Sequence, residues 1–272
     1  RKKNPRPSMN IIPYKDIYDP TLLQPVPREP HRRELGIEGA LPFTGVDIWT
    51  AYELSWLDIS GKPRVAMATF VVDARSPNLI ESKSFKVYLN SFNQTALASP
   101  ESLRQRLLED IGHACGMPVD VEIRLPGEFG DEQIEELDGE LLDEIDVEVR
   151  DYRPNPALLR TKGAPVDETL VSNLLKTNCP LTGQPDWASI QIRYRGPRID
   201  RAGLLRYLVS FRQHGGFHEQ CVENIFTDIL GRCGPERLTV YARYTRRGGL
   251  DINPFRTNCG ERLPRNVRTA RQ

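Results

Sequence analysis

The 272-residue sequence lacks the features that mark several common classes of protein. Its 37 lysines and arginines are balanced by 37 aspartates and glutamates, so it has no net charge to attract nucleic acid or an anionic membrane. No apolar run approaches the roughly 18 residues of a membrane-spanning helix, and none follows the basic segment 1–6 as in a signal peptide. The patterns GxGxxG, GxxxxGK(S/T) and HExxH are absent, so a Rossmann domain, a P-loop NTPase and a zincin find no support. These absences favour a small neutral or zwitterionic partner, with no direct contact to nucleic acid or membrane.

Cysteine is too scattered for a disulfide framework or a zinc site. The five cysteines include no CxxC pair and no cluster with histidine at metal-ligand spacing: Cys115, Cys179, Cys221, Cys233 and Cys259. An odd number of widely spaced cysteines is typical of proteins from a reducing compartment. We therefore predict a cytoplasmic protein with reduced thiols and no bound metal.

Proline is concentrated at the start of the sequence, where seven of the first forty residues are proline. Proline removes a backbone donor and fixes φ, which is incompatible with a helix interior or a central strand. Residues 1–44 are therefore predicted to form an extended arm over a folded body. Residues 45–58 and 64–74 are rich in β-branched and aromatic side chains, and the turn at 60–63 between them predicts a β-hairpin.

Two amphipathic helices and a returning strand complete the first half. Apolar side chains recur at helical spacing in two stripes: Phe85, Tyr88, Leu89 and Phe92, then Leu103, Leu107, Leu108 and Ile111. Ser99 is a suitable N-cap for the second helix. Because residues 119–125 predict a strand, residues 45–126 form a module of the order ββααβ.

The second half repeats this order after an acidic segment. Residues 127–150 are dominated by carboxylates, which predicts a solvated linker or insertion. Within 151–272, strands are predicted at 166–177, 187–195 and 237–245. Two helical stripes lie between the last two strands: Leu204, Leu205, Leu208 and Phe211, then Val222, Ile225, Phe226, Ile229 and Leu230. The sequence thus predicts an α+β protein of two tandem modules, each an antiparallel sheet with a helix pair on one face.

Cys179 lies in a dense run of turn-forming residues, 177–187, between two predicted strands. Loops held by a rigid sheet often carry reactive groups, and a cysteine nucleophile would require a thiol pKa lowered by about 1.5 to 2 units. Asp186 could accept the thiol proton as the sulfur attacks, then return it to a nitrogen atom. Spacing alone leaves open a buried, inert cysteine and an aspartate that only closes a turn.

His218 and Glu219 begin the last amphipathic helix, after Gly215 and Gly216. A glutamate side chain can accept two parallel hydrogen bonds from the N–H edge of a guanine-like ring. Glutamate in a first helical turn also complements the helix dipole, and a single histidine is often only a hydrogen-bonded neighbour. Both interpretations remain open for this pair.

Two basic sites could bind phosphate. Lys83 and Lys86 form the first, and Arg246 and Arg247, followed by glycine at 248–249, form the second. A guanidinium beside flexible glycine suits phosphate because backbone N–H groups can approach the anion together with it. The alternative is a pair of solvated surface patches.

Four segments together resemble the 7-cyano-7-deazaguanine reductases, the nitrile reductases of queuosine biosynthesis, in their longer form with two modules. The resemblance spans essentially the whole chain and is carried by Glu81–Asn93, Cys179–Trp187, Phe217–Glu219 and Tyr244–Pro254. It implies tandem tunnelling-fold modules of ββααββ-like order, the fold shared with GTP cyclohydrolases. It also implies that two chains pair as a homodimer.

The resemblance further implies a mechanism and a set of site residues. Cys179 would attack the nitrile carbon to give a covalent thioimide, Asp186 would handle the proton, and two NADPH would complete the reduction to 7-aminomethyl-7-deazaguanine. The residues implied to bind the substrate are Ile80, Glu81, Ser82, His218 and Glu219. Those implied to bind NADPH are Ser82, Lys83, Arg247 and Gly248.

Two other functions remain alternatives. A GTP-cyclohydrolase-like hydrolase would need a metal held by cysteine and histidine, and none of the four histidines is close to Cys179 in the sequence. A purine-binding module without turnover would use Glu219 to recognise a base, with an inert Cys179. Direct tRNA binding is disfavoured because no basic stripe interleaved with aromatic residues is present.

Overall fold

Helices and strands follow one another in the same order in the two halves of the chain. The computed structural model describes residues 14–272, so the first part of the predicted arm, residues 1–13, lies outside the described residues. The elements are β1 Pro25–Pro27, α1 Glu29–Glu34, β2 Thr44–Leu57, β3 Pro63–Asp73, β4 Asn78–Ile80, α2 Ser82–Asn90, α3 Pro100–Cys115, β5 Asp120–Arg124, β6 Glu140–Leu141, β7 Thr161–Asn178, β8 Pro185–Ile199, α4 Arg201–Ser210, α5 His218–Cys233, β9 Arg237–Tyr244 and β10 Leu250–Thr257. The predicted hairpins, helices and returning strands are confirmed, with small differences at their ends.

Eight strands form one sheet in the order β5-β3-β2-β10-β9-β8-β7-β6. All neighbours are antiparallel except β6 and β7, which run parallel. The halves meet where β10 pairs with β2, from Leu250 opposite Ala51 to Thr257 opposite Thr44. The prediction of a separate sheet in each module is therefore wrong, because β10 connects the strands of both halves into a continuous sheet.

Each half buries its own helix pair against the sheet. The first core contains the predicted stripes of α2 and α3, with Phe85, Phe92 and Leu103 almost fully buried. The second core packs α4 and α5 against β7, β8 and β9. Ser99 caps α3 as predicted, since its hydroxyl accepts a hydrogen bond from the backbone N–H of Ser102. Two adjacent helix-covered cores thus lie on either side of the β2–β10 pairing.

The Pro-rich arm is more regular than predicted. Its segment Pro25–Pro27 pairs with Asn78–Ile80, and residues Glu29–Glu34 form a short helix. The prediction that no helix forms in this region is wrong because Pro30 occupies the first turn, where a backbone N–H has no helical partner anyway. The helix brings Arg28 and Arg32 into the buried interior beside the sheet.

Most carboxylates of the acidic segment 127–146 are exposed, as predicted. The segment is nevertheless packed: Leu142 is buried, and Ile134 forms a β-bridge with Arg268 near the end of the chain. Glu135 also forms an ion pair with Arg265. The segment and the chain end therefore contact each other. Among residues 14–272, no helix is both long and apolar enough to cross a membrane.

Candidate active site

Cys179 directly follows β7, in the loop that leads to β8. The loop is closed by two backbone hydrogen bonds: the N–H of Cys179 donates to the carbonyl of Gln184, and the N–H of Gly183 donates to the carbonyl of Cys179, both at 2.9 Å. Gly183 has a φ of 71°, which glycine adopts without steric cost. The predicted loop is confirmed, and the Cys179 side chain is 8% exposed, at the edge of the core.

The surroundings of Cys179 favour its thiolate. Burial acts to raise the pKa of the thiol, but the hydroxyl of Thr182, the backbone N–H groups of Leu181 and Thr182, and the guanidinium of Arg247 together lower it. Donors directed at the sulfur stabilise the negative charge of the thiolate, which is the nucleophilic form. The loop therefore moves the thiol pKa in the direction that a cysteine nucleophile requires.

Asp186 is the second residue of β8 and is only 4% exposed. Its Oδ2 lies 3.3 Å from the Nε2 of His218, and its Oδ1 lies 3.0 Å from the Nε of Arg247. Arg247 also donates a hydrogen bond of 2.8 Å from Nη1 to the Oε1 of Gln184, in the Cys179 loop. The structure thus brings together a thiol loop, a carboxylate, an imidazole and a guanidinium from three separate parts of the second half.

Tyr244 lies directly against His218. The two rings are parallel within 3°, with centroids 3.8 Å apart, and both side chains are buried. The tyrosine fixes the plane of the imidazole and so the direction in which Nε2 faces Asp186. Sequence reasoning included Tyr244 in a resembling segment but gave it no role, because its contact with His218 depends on the pairing of β9 with the remainder of the sheet.

Glu219 is 2% exposed, and its Oε1 has no hydrogen-bond partner among residues 14–272. Burial and the negative charge of Asp47 raise the pKa of Glu219 to about 8, while Arg28 acts in the opposite direction. A buried acceptor without a partner is costly in a folded protein, which indicates that Glu219 has a role other than stability. Glu219 is therefore suited to accept hydrogen bonds from a bound molecule.

The segment 80–83 joins the end of β4 to the start of α2. Glu81 is the N-cap, and its carboxylate accepts hydrogen bonds from the backbone N–H of Lys83 at 2.8 Å and of Ser84 at 2.7 Å. Ile80 is buried and lines a cavity of about 10 Å³ together with Glu219. Ser82 is partly exposed and Lys83 is exposed. The carboxylate of Glu81 thus stabilises the helix, and Ile80 is the residue of this segment that shares a cavity with Glu219.

Lys86 brings α2 of the first half to the Cys179 region of the second. Burial and Arg247 lower the pKa of Lys86, whereas the nearby groups of Glu81, Asp186 and Cys179 act to raise it. Gly248 packs against this lysine so closely that an added Cβ would lie 3.2 Å from the Lys86 Cδ. The sequence indicates only that Lys86 belongs to a basic patch with Lys83, one helical turn earlier, because its approach to the Cys179 loop depends on how the two halves pack.

The site holds no cluster of side chains suited to a metal. Across the described part of the chain, no group of three or more His, Cys, Asp or Glu side chains is arranged to hold a metal ion.

Two family models match the chain. Residues 14–123 match "Nitrile reductase, 7-cyano-7-deazaguanine-reductase N-term", and residues 185–262 match "QueF-like protein". A crystal structure of an apo archaeosine synthase QueF-Like aligns with a TM-score of 0.32 and 13% identity, covering 37% of this chain and 99% of that one. A likeness this distant supports no conclusion about the fold.

Full-length relatives are much more similar. An NADPH-dependent 7-cyano-7-deazaguanine reductase of Bordetella pertussis is 60% identical over 262 residues, which is 96% of each chain. The reductase of the same name from Burkholderia multivorans is 59% identical over 261 residues, 95% of each chain, and that of Bordetella bronchiseptica is 60% identical over 96% of each. With this identity over nearly the whole length, the chain belongs to the family of the NADPH-dependent 7-cyano-7-deazaguanine reductases.

Proposed function

We propose that this protein reduces the nitrile of 7-cyano-7-deazaguanine to the primary amine of 7-aminomethyl-7-deazaguanine, as a step of queuosine biosynthesis, with NADPH as reductant. Family membership supports the substrate and the cofactor. The observation that carries the chemistry is Cys179, a thiol whose pKa is lowered, in a loop that Arg247 connects to Asp186.

Cys179 acts as a covalent nucleophile. Its sulfur attacks the nitrile carbon, a C–S bond forms, and one π bond of the C≡N group breaks. The thiol proton passes to Asp186 and from there to the nitrile nitrogen, which gives a neutral thioimide. A nitrile carbon is a poor hydride acceptor and the carbon of a thioimide is a better one, so covalent capture divides one difficult reduction into easier steps.

The cationic groups beside Cys179 fit the phosphates of a nicotinamide cofactor. Arg247 and Gly248, with Ser82 and Lys83 at the start of α2, would hold NADPH, and Lys86 lies among them. Bound NADPH supplies the hydride, and two molecules are needed for the four electrons between nitrile and amine. Between the two transfers the C–S bond breaks, the sulfur of Cys179 leaves as the thiolate, and an imine remains.

The substrate ring is recognised by the start of α5. Glu219 accepts hydrogen bonds from the N–H edge of the deazapurine, and the neighbouring His218 lies on the side of Asp186. Ile80, Glu81 and Ser82 close the pocket from the first half of the chain. Because the substrate is a small uncharged heterocycle, recognition requires no large field of one sign, in keeping with the balanced composition.

We further propose that the fold consists of two tunnelling-fold modules, residues 45–126 and 151–272, joined by the linker 127–150. This division is supported by the repeated order of strand pair, helix pair and returning strand on either side of the acidic segment. The continuous sheet through β2 and β10 brings the Lys86 helix of the first module close to the Cys179 loop of the second.

The proposed reaction is tested by the loss of nicotinamide absorbance on mixing the protein with NADPH and 7-cyano-7-deazaguanine. We expect two NADPH to be consumed for each nitrile, with the amine as the product in mass spectrometry. A non-catalytic purine-binding protein would bind the nitrile and consume no NADPH. A hydrolase on the same scaffold would release a product without NADPH and would lose activity with a chelator.

A further inference from the structure

Five buried charged side chains form an alternating chain through the centre of the molecule. Arg28 donates to Asp47 at 2.6 Å, Asp47 pairs with Arg256 at 2.8 Å, Arg256 donates to Glu223 at 2.8 Å, and Glu223 accepts from Arg32 at 2.7 Å. The two arginines at its ends come from the arm, the other groups from β2, β10 and α5. All five side chains are less than 10% exposed.

The network carries one uncompensated positive charge, because three guanidinium groups face two carboxylates. Arg32 uses Nε and Nη2 on both oxygens of Glu223, whereas the buried Nη1 of Arg28 has no hydrogen-bond partner in the described chain. The excess positive charge is thus least compensated at the Arg28 end. A buried charge is costly unless another charge balances it.

Glu219 lies at that end of the network. It precedes Glu223 by one turn of α5, and it lines the same cavity of about 10 Å³ as Arg28. The other residues around this cavity are apolar apart from Cys115, so Arg28 and Glu219 border the same region of low polarity, and the charge of Arg28 acts on Glu219. With Glu219 ionised, the six groups are electrically balanced.

We propose that Arg28 of the arm is a positioning residue for the substrate site: its guanidinium favours the ionised form of Glu219, which is the form that accepts charged hydrogen bonds from the N–H edge of the deazapurine. The inference rests on the proposed function, in which Glu219 recognises that edge. The arm thereby completes the substrate site through a residue that need not touch the substrate.

The ionisation of Glu219 depends on opposing neighbours. Burial and Asp47 raise its pKa, and Arg28 and Arg256 lower it. The titratable and charged groups that face it from its own helix and from the packed elements are Arg28, Asp47, Cys115, Cys221, Tyr244 and Arg256. Of the two arginines, Arg256 is engaged by both Asp47 and Glu223, so Arg28 has the greater freedom to balance Glu219.

The test measures reversible binding of 7-cyano-7-deazaguanine between pH 6 and pH 10, in a Cys179→Ala background so that no covalent adduct forms. We expect affinity to increase with pH through the ionisation of Glu219. Arg28→Gln raises the pKa of Glu219, so the curve of affinity against pH moves to higher pH. Affinity at pH 7 then falls about tenfold for every pH unit by which the midpoint of this curve moves. Arg28→Lys keeps the charge and restores most of the affinity. Glu219→Gln removes the pH dependence in this range.

Arg32→Gln is the matched control, because it removes the arm's other buried arginine from the same network without touching the cavity. It should leave the midpoint of the binding curve in place. Asp47→Asn should move the midpoint to lower pH, which gives a second test if Arg28→Gln does not fold. An unshifted midpoint in folded Arg28→Gln, or an equal shift in Arg32→Gln, overturns the inference. Failure of the wild-type protein to consume NADPH with the nitrile would instead reject the proposed function.

Discussion

The Nε2 of His218 lies 3.3 Å from the Oδ2 of Asp186, while the other oxygen of this carboxylate faces the Nε of Arg247 at 3.0 Å. Tyr244 stacks on the imidazole and holds its plane. Asp186 is thus oriented at both oxygens by groups from different elements. A carboxylate held in this way can receive a proton on one side of the site without first reorienting.

Asp186→Asn should slow formation of the thioimide by about 10²–10⁴-fold, because an amide has the shape of the carboxylate but cannot take up the thiol proton. The rate is measured as the mass increase of the protein after mixing with the nitrile without NADPH. Asp138→Asn, on the exposed acidic segment, is the control and should keep the normal rate. A near-normal rate in Asp186→Asn would remove its assigned role in proton transfer.

Cys179→Ala should abolish both turnover and the mass adduct. Cys259→Ala is the matched control, since the pKa of Cys259 is also lowered, by Thr257, Arg237 and Thr239 against the effect of burial, and Cys259 is outside the proposed site. This control should form the adduct and reduce the nitrile at the normal rate. Turnover that survives in Cys179→Ala contradicts the covalent mechanism.

Thr182→Val should raise the pKa of the Cys179 thiol, because the hydroxyl is the first of the groups that lower this pKa against burial. The thiolate is the reactive form, so the pH at which alkylation of Cys179 reaches half its maximal rate should move upwards. Peptide mass spectrometry after timed exposure to iodoacetamide gives this rate at each pH. Thr182→Ser keeps the hydroxyl and should retain the wild-type dependence of the alkylation rate on pH. Equal curves for the valine and serine variants would exclude the hydroxyl as the cause of the lowered thiol pKa.

Local periodicity was sufficient to predict most of the fold. The two hairpins and the stripes of α2, α3, α4 and α5 depend on neighbours in the sequence, and all are present. The residue pattern does not predict β10, which only the ββααββ-like order of the resemblance implies, because Pro254 within it cannot donate a backbone hydrogen bond and argues against a central strand. The structure accommodates it because pairing of β10 with β9 begins only at Phe255. The union of both halves in one sheet was missed for the same reason.

The candidate site was predicted where residues close in sequence share a loop or a helix start, as with Cys179 and Asp186. Three contributors could not be found in this way: Lys86 reaches the site from the other half, Tyr244 stacks under His218 from β9, and Arg28 enters from the arm. Each depends on a contact between distant parts of the chain, which spacing along one sequence does not reveal.

Glu219 and Glu223, one turn apart on α5, should make the stability of the protein depend on pH in opposite directions. Despite burial, Arg256 and Arg32 lower the pKa of Glu223 to about 2, so its stabilising contribution is present above the ordinary value of 4.5 and is lost as the pH falls through about 2. The raised pKa of Glu219, about 8, has the reverse sign: the folded state favours the protonated form, so stability decreases as the pH rises from 4.5 to 8.

Glu219→Gln should therefore raise the free energy of unfolding of the substrate-free protein by about 4 kcal/mol at pH 8, because each pKa unit corresponds to about 1.4 kcal/mol, with a much smaller gain at pH 5. Glu223→Gln should lower it at both values, because a buried arginine pair loses its partner at a cost of about 3–5 kcal/mol. Calorimetry at the two pH values measures both effects.

Glu219→Gln should also weaken binding of the deazapurine by about 1.5–3 kcal/mol for each charged hydrogen bond lost. A glutamine that stabilises the fold while it impairs recognition would identify Glu219 as a residue kept for binding, whereas a loss of stability at pH 8 would contradict this role.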